Sequence, residues 1–219
     1  CPSCGSKLEE EGANLFCPNE YGCTPQIVGR ITHYASKDCM DIDGISEKTI
    51  ELLHKKTGLN SVEDLYKLKL EDFADLEGFK DKKPEKILKS IAKSKDVELS
   101  KFIAALGIPN VGKKMAADLA DKYQSFEALQ NATKEDLALL PDVGELTASY
   151  IVEYFIKHKE KLLHLKNLGV NPVYFSRSGG VFQGQKVVLT GTLTSLKRSQ
   201  AAELIRRNGG EAQSSVTQT

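Results

Sequence analysis

The chain has 219 residues, 40% hydrophobic and 27% charged, a composition that supports two or three small units with packed cores. Thirty basic residues against thirty acidic ones give a formal net charge of zero, which argues against a protein that grips a polyanion mainly by bulk positive charge. No apolar stretch has the length of a membrane span, and the five cysteines carry metal-type spacing, so we expect a reducing, cytoplasmic setting and no membrane partner.

The first predicted element is a metal knuckle. Cys1-Pro2-Ser3-Cys4-Gly5 is followed, after 12 intervening residues, by Cys17 and, across a gap of five, by Cys23. Small residues around the first pair let backbone amides point at the thiolates, and the intervening residues suit a β-hairpin. A closed set of four thiolates is a structural zinc site, not a catalytic one. The five-residue gap is wider than usual and predicts a looser second knuckle. Cys39 lies outside this pattern and is expected to be buried as a small hydrophobe. Residues 27–37 read as a helix with Ile27, Ile31 and Tyr34 on one face. With four cysteines already available, His33 is assigned a structural hydrogen-bonding role.

From Asp41 to about Phe155 one short pattern occurs four times: Ile42-Asp43-Gly44-Ile45-Ser46, Leu76-Glu77-Gly78-Phe79-Lys80, Pro109-Asn110-Val111-Gly112 and Pro141-Asp142-Val143-Gly144. Aligned on Gly44, Gly78, Asn110 and Asp142, the copies lie 34, 32 and 32 residues apart. Such a period marks a repeated supersecondary unit, here two short helices joined by a tight hairpin. Gly, Asn and Asp tolerate the positive φ of a sharp turn. Each hairpin opens into a helix whose first amides lack intrahelical partners and whose dipole favours an anion. A repeated phosphate-sized socket suits a nucleic-acid backbone. Ordinary helix-loop-helix turns use glycine for the same steric reason, but four in register, two with lysines just after the turn, favour the binding reading.

The copies differ. In the third, Gly112 precedes Lys113 and Lys114, making it the strongest candidate. The first has Gly44, then Ser46 as an N-cap and Lys48 on the opening turn. The fourth keeps Gly144 but places Asp142 and Glu145 near the presumed phosphate. The second carries Gly78 but has Lys80 where the others have a small residue. Pro84 is expected to break the turn that follows. It reads as mainly architectural, with Lys80, Lys82 and Lys83 able to reach a phosphate. Lys93 to Leu99 divides the array into two pairs.

After the repeats, residues 157–171 read as a closing helix ending at Gly169. Ser176-Arg177-Ser178-Gly179-Gly180 is linker-like. Lys186 to Thr190 reads as a buried strand, Ser199 to Asn208 as an amphipathic helix stopped by Gly209-Gly210, and Glu211 onward as a second strand.

Four such hairpins behind a four-cysteine cluster resemble the helix-hairpin-helix motifs in the C-terminal half of bacterial NAD-dependent DNA ligases. His33-Tyr34-Ala35-Ser36-Lys37 and Met40-Asp41-Ile42-Asp43-Gly44 resemble that family's junction between finger and first hairpin. Thr190-Gly191 resembles the first turn of a BRCT domain. The resemblance covers essentially the whole chain. It implies a mainly α fold: a zinc finger at 1–30, a helix-hairpin-helix DNA-binding domain at 31–175, a linker at 176–184 and the start of an α/β BRCT domain at 185–219. It also implies an excised part of a larger protein, with sockets tracking the phosphates that flank a minor groove and giving position without sequence readout. Zinc belongs to this part. NAD and magnesium belong to an absent catalytic domain, and upstream adenylation and OB domains are the implied partners, with nicked double-stranded DNA as the substrate in a bacterial, nucleoid-associated setting.

Ligation through a lysyl-adenylate needs a Lys-x-Asp-Gly sequence. Here the nearest match is Asp41-Ile42-Asp43-Gly44, so the fragment alone is expected to be inactive. A repair glycosylase would carry an aspartate downstream of a Leu-Pro-x-Val-Gly hairpin, and no Asp follows Asp142. A DNA-repair scaffold that binds DNA and phosphoprotein partners through the BRCT portion stays open as the alternative.

Overall fold

The computed structural model describes residues 1–74, 76, 78–79, 82–176, 180–196 and 198–213. Strand β1, Glu9–Glu11, pairs antiparallel with β2, Asn14–Phe16, so that Glu9 faces Phe16. Every β2 side chain is exposed. A two-stranded ribbon of this size cannot hold itself together in water. Helix α1, Thr24–Ala35, follows directly, with Cys23 as its N-cap and Pro25 in its first turn. Proline is tolerated there because its missing N–H would have had no partner. The helix therefore starts three residues before the expected Ile27. Ile27, Val28, Ile31 and Tyr34 are buried along it, as the periodicity indicates. Residue 30, the expected edge of the finger, falls inside this helix.

The hairpin repeats follow. The first turn leads into α2, Glu47–Thr57. Next come α3, Val62–Leu65, and a 3-10 turn at Leu70–Phe73, which approach the second hairpin and α4, Lys82–Lys93. Helices α5, Leu99–Ala105, and α6, Lys113–Tyr123, enclose the third hairpin. Helices α7, Phe126–Gln130, and α8, Lys134–Ala138, lead through the fourth into α9, Glu145–Lys157. All four aligned turn residues have positive φ: 87° at Gly44, 81° at Gly78 and 64° at both Asn110 and Asp142. Val111 N donates to Ile108 O at 3.0 Å and Val143 N to Leu140 O at 3.2 Å. With proline at the second position and positive φ at the third, both have the signature of a type II turn. Pro84 does not break the second repeat. It lies buried in the first turn of α4, where a missing N–H costs no hydrogen bond.

A single hydrophobic cluster runs from Ile27 to Val170 and contains residues of all four repeats and of α1. Hairpins one and two meet where a Cβ on Gly44 would lie 3.0 Å from Ile87, and where Asp43 N donates to Ser90 Oγ at 2.7 Å. Hairpins three and four share edge-on rings, Phe102 with Phe126 at 4.9 Å and Phe126 with Phe155 at 5.8 Å. Polar contacts join the pairs to α1: Tyr34 OH lies 2.9 Å from Tyr66 OH, which lies 3.3 Å from Ser94 Oγ, and His33 Nε2 lies 3.0 Å from Ala104 O. His33 thus has the structural role expected of it, and Cys39 is buried. Burial pushes the Tyr34 and Tyr66 phenols upward, so the tyrosine pair stays neutral.

Helix α10, Lys159–Asn167, closes the array with Leu162 and Leu165 buried, and Gly169 stops it at φ 89°. The chain then returns to the junction between the pairs: Asn171 N donates to Lys95 O at 2.8 Å, Val173 N to Val97 O at 2.8 Å, and Leu99 N to Val173 O at 2.9 Å. Of the expected linker, 177–179 lie outside the described residues. Strand β3, Lys186–Val188, runs parallel to β4, Glu211–Gln213, across α11, Arg198–Arg207. Strand β3 is half-exposed rather than buried, since the described residues place only β4 beside it and no second sheet face over it.

Ile87→Ala should test how far the first two hairpins depend on each other. Ile87 is fully buried beneath Gly44, so its truncation is expected to cost about 2–5 kcal/mol. A shift of the whole thermal transition is the predicted result, and loss of an isolated low-temperature phase would show that the cluster is not one cooperative core.

Candidate nucleic-acid interface and metal centre

The sulfur atoms of Cys1, Cys4, Cys17 and Cys23 all lie within 4.8 Å of one another. Cys1 and Cys4 sit on a turn closed by Gly5 N donating to Cys1 O at 2.9 Å, Cys17 follows β2, and Cys23 caps α1. Sulfur pairs are 3.8 Å apart for Cys1 with Cys23 and 3.5 Å for Cys4 with Cys17. Four bonds of about 2.3 Å to a tetrahedral ion place sulfurs about 3.8 Å apart, so the cluster could hold a metal ion as a closed four-thiolate site. Hydrogen bonds with Ser6 lower the Cys4 thiol to about 6, favouring the thiolate a metal requires.

The wide gap between Cys17 and Cys23 is not loose. Arg30 Nη2 donates to Glu20 O at 2.7 Å, Lys157 Nζ lies 3.2 Å from the Glu20 carboxylate, and Tyr21 stands between Arg30 at 5.0 Å and Lys161 at 3.8 Å from its ring centre. These extra residues seat the finger on α1, α9 and α10. A cleft of about 720 Å³ lies beside this seat. Among its lining groups, Tyr154 OH donates to Leu106 O at 3.0 Å and His33 Nε2 lies 3.0 Å from Ala104 O.

The hairpins present their helix starts outward. Gly112 caps α6 at φ −84° and ψ −178°, and Gly144 caps α9 at φ −79° and ψ 169°. Any residue can adopt this extended backbone, and no atom lies within 4 Å of a Cβ placed on either glycine. Neither side-chain caps nor crowding explain the two glycines. What they do is leave the first amides of each helix open to an approaching group. At the first hairpin Ser46 Oγ accepts from Thr49 N at 3.2 Å, so that helix start is partly filled by its own cap. Lys48 and Lys82 are exposed on the first turns of α2 and α4, and Gly78 has open space at its turn. Lys80 lies outside the described residues.

Beside the third hairpin, Lys113 Nζ lies 2.5 Å from Asp38 and Lys114 Nζ 2.6 Å from Asp142, the turn residue of the fourth. Lys114 holds the Asp142 carboxyl below its usual range, and Lys113 does the same for Asp38. The acids that weaken the fourth socket are thus partly answered from the third. Two features escape a reading of the hairpins one by one. Asp38, outside every hairpin, is brought to Lys113 by the turn that follows α1. The residue four after each turn is Lys48, Lys82, Lys114 and then Leu146, a register visible only when the copies are laid over one another.

Two family models match the array. One described as a SAM-like helix-hairpin-helix tandem covers residues 36–93, and one described as a helix-hairpin-helix motif covers residues 101–163. Their limits coincide with the two pairs of hairpins. Among curated proteins, the chain is 44% identical over 99% of its length to 33% of a DNA ligase from Alkaliphilus oremlandii. It is 43% identical, again over 99% of its length, to 34% of a DNA ligase from Alkaliphilus metalliredigens. A protein named DNA ligase 2 from Clostridium acetobutylicum is 42% identical over 99% of this chain and 33% of its own length. The chain thus spans about a third of these relatives. Among the described residues no helix is long and apolar enough to cross a membrane. With its two matched pairs of helix-hairpin-helix units and its four-cysteine cluster, the chain is a homologue, over nearly all its length, of a one-third portion of bacterial DNA ligases.

Proposed function

We propose that the chain grips nicked double-stranded DNA through its phosphates, without sequence readout, as part of an NAD-dependent DNA ligase that seals nicks in replication and repair at the bacterial nucleoid. The observation that carries this reading is the pair of open helix starts at Gly112 and Gly144, whose glycines answer no demand of the fold. Helix starts of this kind bind phosphate through amides and dipole together. Gly112, with Asn110, Lys113 and Lys114, forms the principal contact. Gly44, Ser46 and Lys48 form a second, Gly144 a third, and Gly78 with Lys80 and Lys82 an accessory one. Sealing itself needs a lysine that NAD adenylates and magnesium, which we assign to upstream adenylation and OB portions of a parent protein, because this chain carries Asp41 where Lys-x-Asp-Gly requires lysine.

Zinc is the metal we assign to Cys1, Cys4, Cys17 and Cys23, since four thiolates in a tetrahedral set suit that ion. It would fold the finger, whose ribbon has no core of its own. The array would extend to about residue 175 and the BRCT portion would begin near 185.

Two measurements test this. Gly112→Leu should weaken duplex binding by about 1–3 kcal/mol in a fluorescence titration, by obstructing charge-assisted amide bonds, while Lys80→Leu costs far less. Equal losses at the two positions, with unchanged circular dichroism, would remove the third hairpin from its leading place. Cys17→Ser should release zinc to a chromogenic chelator yet leave the helical signal largely intact, because the hydrophobic cluster begins at Ile27. Collapse of that signal would mean the array needs the metal for its own core.

A further inference from the structure

The fourth hairpin repeats the backbone of the third but not its chemistry. Asn110 and Asp142 share φ 64°, both turns close with the same i to i+3 bond, and Gly112 and Gly144 cap the helices that follow. At the position four residues after the turn, three hairpins present lysine, whereas the fourth presents Leu146, 61% exposed. Leu139, at the entrance to the same hairpin, is 80% exposed. Neither leucine belongs to the hydrophobic cluster. Lys114, which belongs to the third hairpin, is paired with Asp142 of this turn at 2.6 Å.

Resting on the duplex reading above, we propose that Leu139 and Leu146 form an apolar contact with DNA, meeting the sugar edges of the duplex next to the phosphate held by the third hairpin. The register carries this. A position occupied by lysine in three of four equivalent hairpins faces an anionic backbone, and the fourth hairpin is tied to the third by the Lys114–Asp142 bond and the Phe102–Phe126–Phe155 rings. Once the third hairpin sits on a phosphate, the fourth is held against the same strand with leucine in place of charge. Deoxyribose edges are the apolar part of that surface, and leucine is among the apolar side chains that minor-groove proteins set into a duplex. The fourth hairpin would then sense groove shape where the others sense charge.

The test is a fluorescence-anisotropy titration of a labelled intact duplex with the full chain, loaded with zinc, across a range of salt. Both leucines are exposed, so their replacement should leave the melting temperature unchanged. Leu146→Lys restores the register of the other hairpins. An added cation at a simple phosphate contact would tighten binding and steepen the slope of log affinity against log salt by about 0.9. The apolar contact predicts the opposite: binding about tenfold weaker with the slope unchanged, and a similar loss for Leu139→Ser. Tighter binding with a steeper slope overturns the inference, as does affinity equal to the parent's in both variants, which would place the leucines against something other than DNA. Failure of the unsubstituted chain to bind any duplex would remove the duplex reading itself, and this inference with it.

Discussion

The spacing of the four helix starts depends on one shared core. An open helix terminus holds a phosphate weakly, and several are useful together only if their separations match the spacing of a nucleic-acid backbone. The cluster from Ile27 to Val170 fixes how far apart the four hairpins stand, because residues of every repeat pack into it. Glycine at 44 lets hairpin one close on Ile87, and the phenylalanine rings do the same for hairpins three and four. The returning segment at 171–173 hydrogen-bonds the junction at 95–99, so the two pairs cannot swing apart without breaking main-chain bonds.

Helix α1 extends that rigidity to the metal cluster. Its N-cap is a cysteine of the cluster, and its apolar face lies in the array core. Glu20 and Tyr21 then anchor the finger from the other side, on cations of α1, α9 and α10. An ion bound by the four sulfurs would fold the finger in the orientation that these contacts select. Each of these contacts is partly exposed and individually weak, and their value lies in having several at one place.

Much of this was legible in the sequence, for identifiable reasons. The turn positions could be aligned because only Gly, Asn and Asp sit comfortably at positive φ, and the structure has positive φ at all four. The cysteine spacing predicted the cluster, and Ile27, Ile31 and Tyr34 predicted the buried face of α1. The start of α1 at Thr24 is hard to read in the sequence, because proline opens a helix as readily as it ends one. Pro84 misleads for the same reason, since it sits in the opening turn of α4. The seating of Glu20 on Lys157 joins residues 137 apart and leaves no local trace. Strand β3 looks buried in the sequence because Val187-Val188-Leu189 is apolar, whereas its burial depends on what packs over it.

We infer that a chain of zero net charge holds DNA through helix-start amides more than through lysines. The internal pairing of Lys113 with Asp38 and Lys114 with Asp142 strengthens that expectation, since those cations already have partners. The most direct measurement is the salt dependence of duplex affinity for the unsubstituted chain. Four hairpins contacting one phosphate each, with lysine help at two or three, predict a slope of log affinity against log salt of roughly −2 to −3. A slope steeper than about −5 would mean that side-chain charge carries the binding, and would contradict the account.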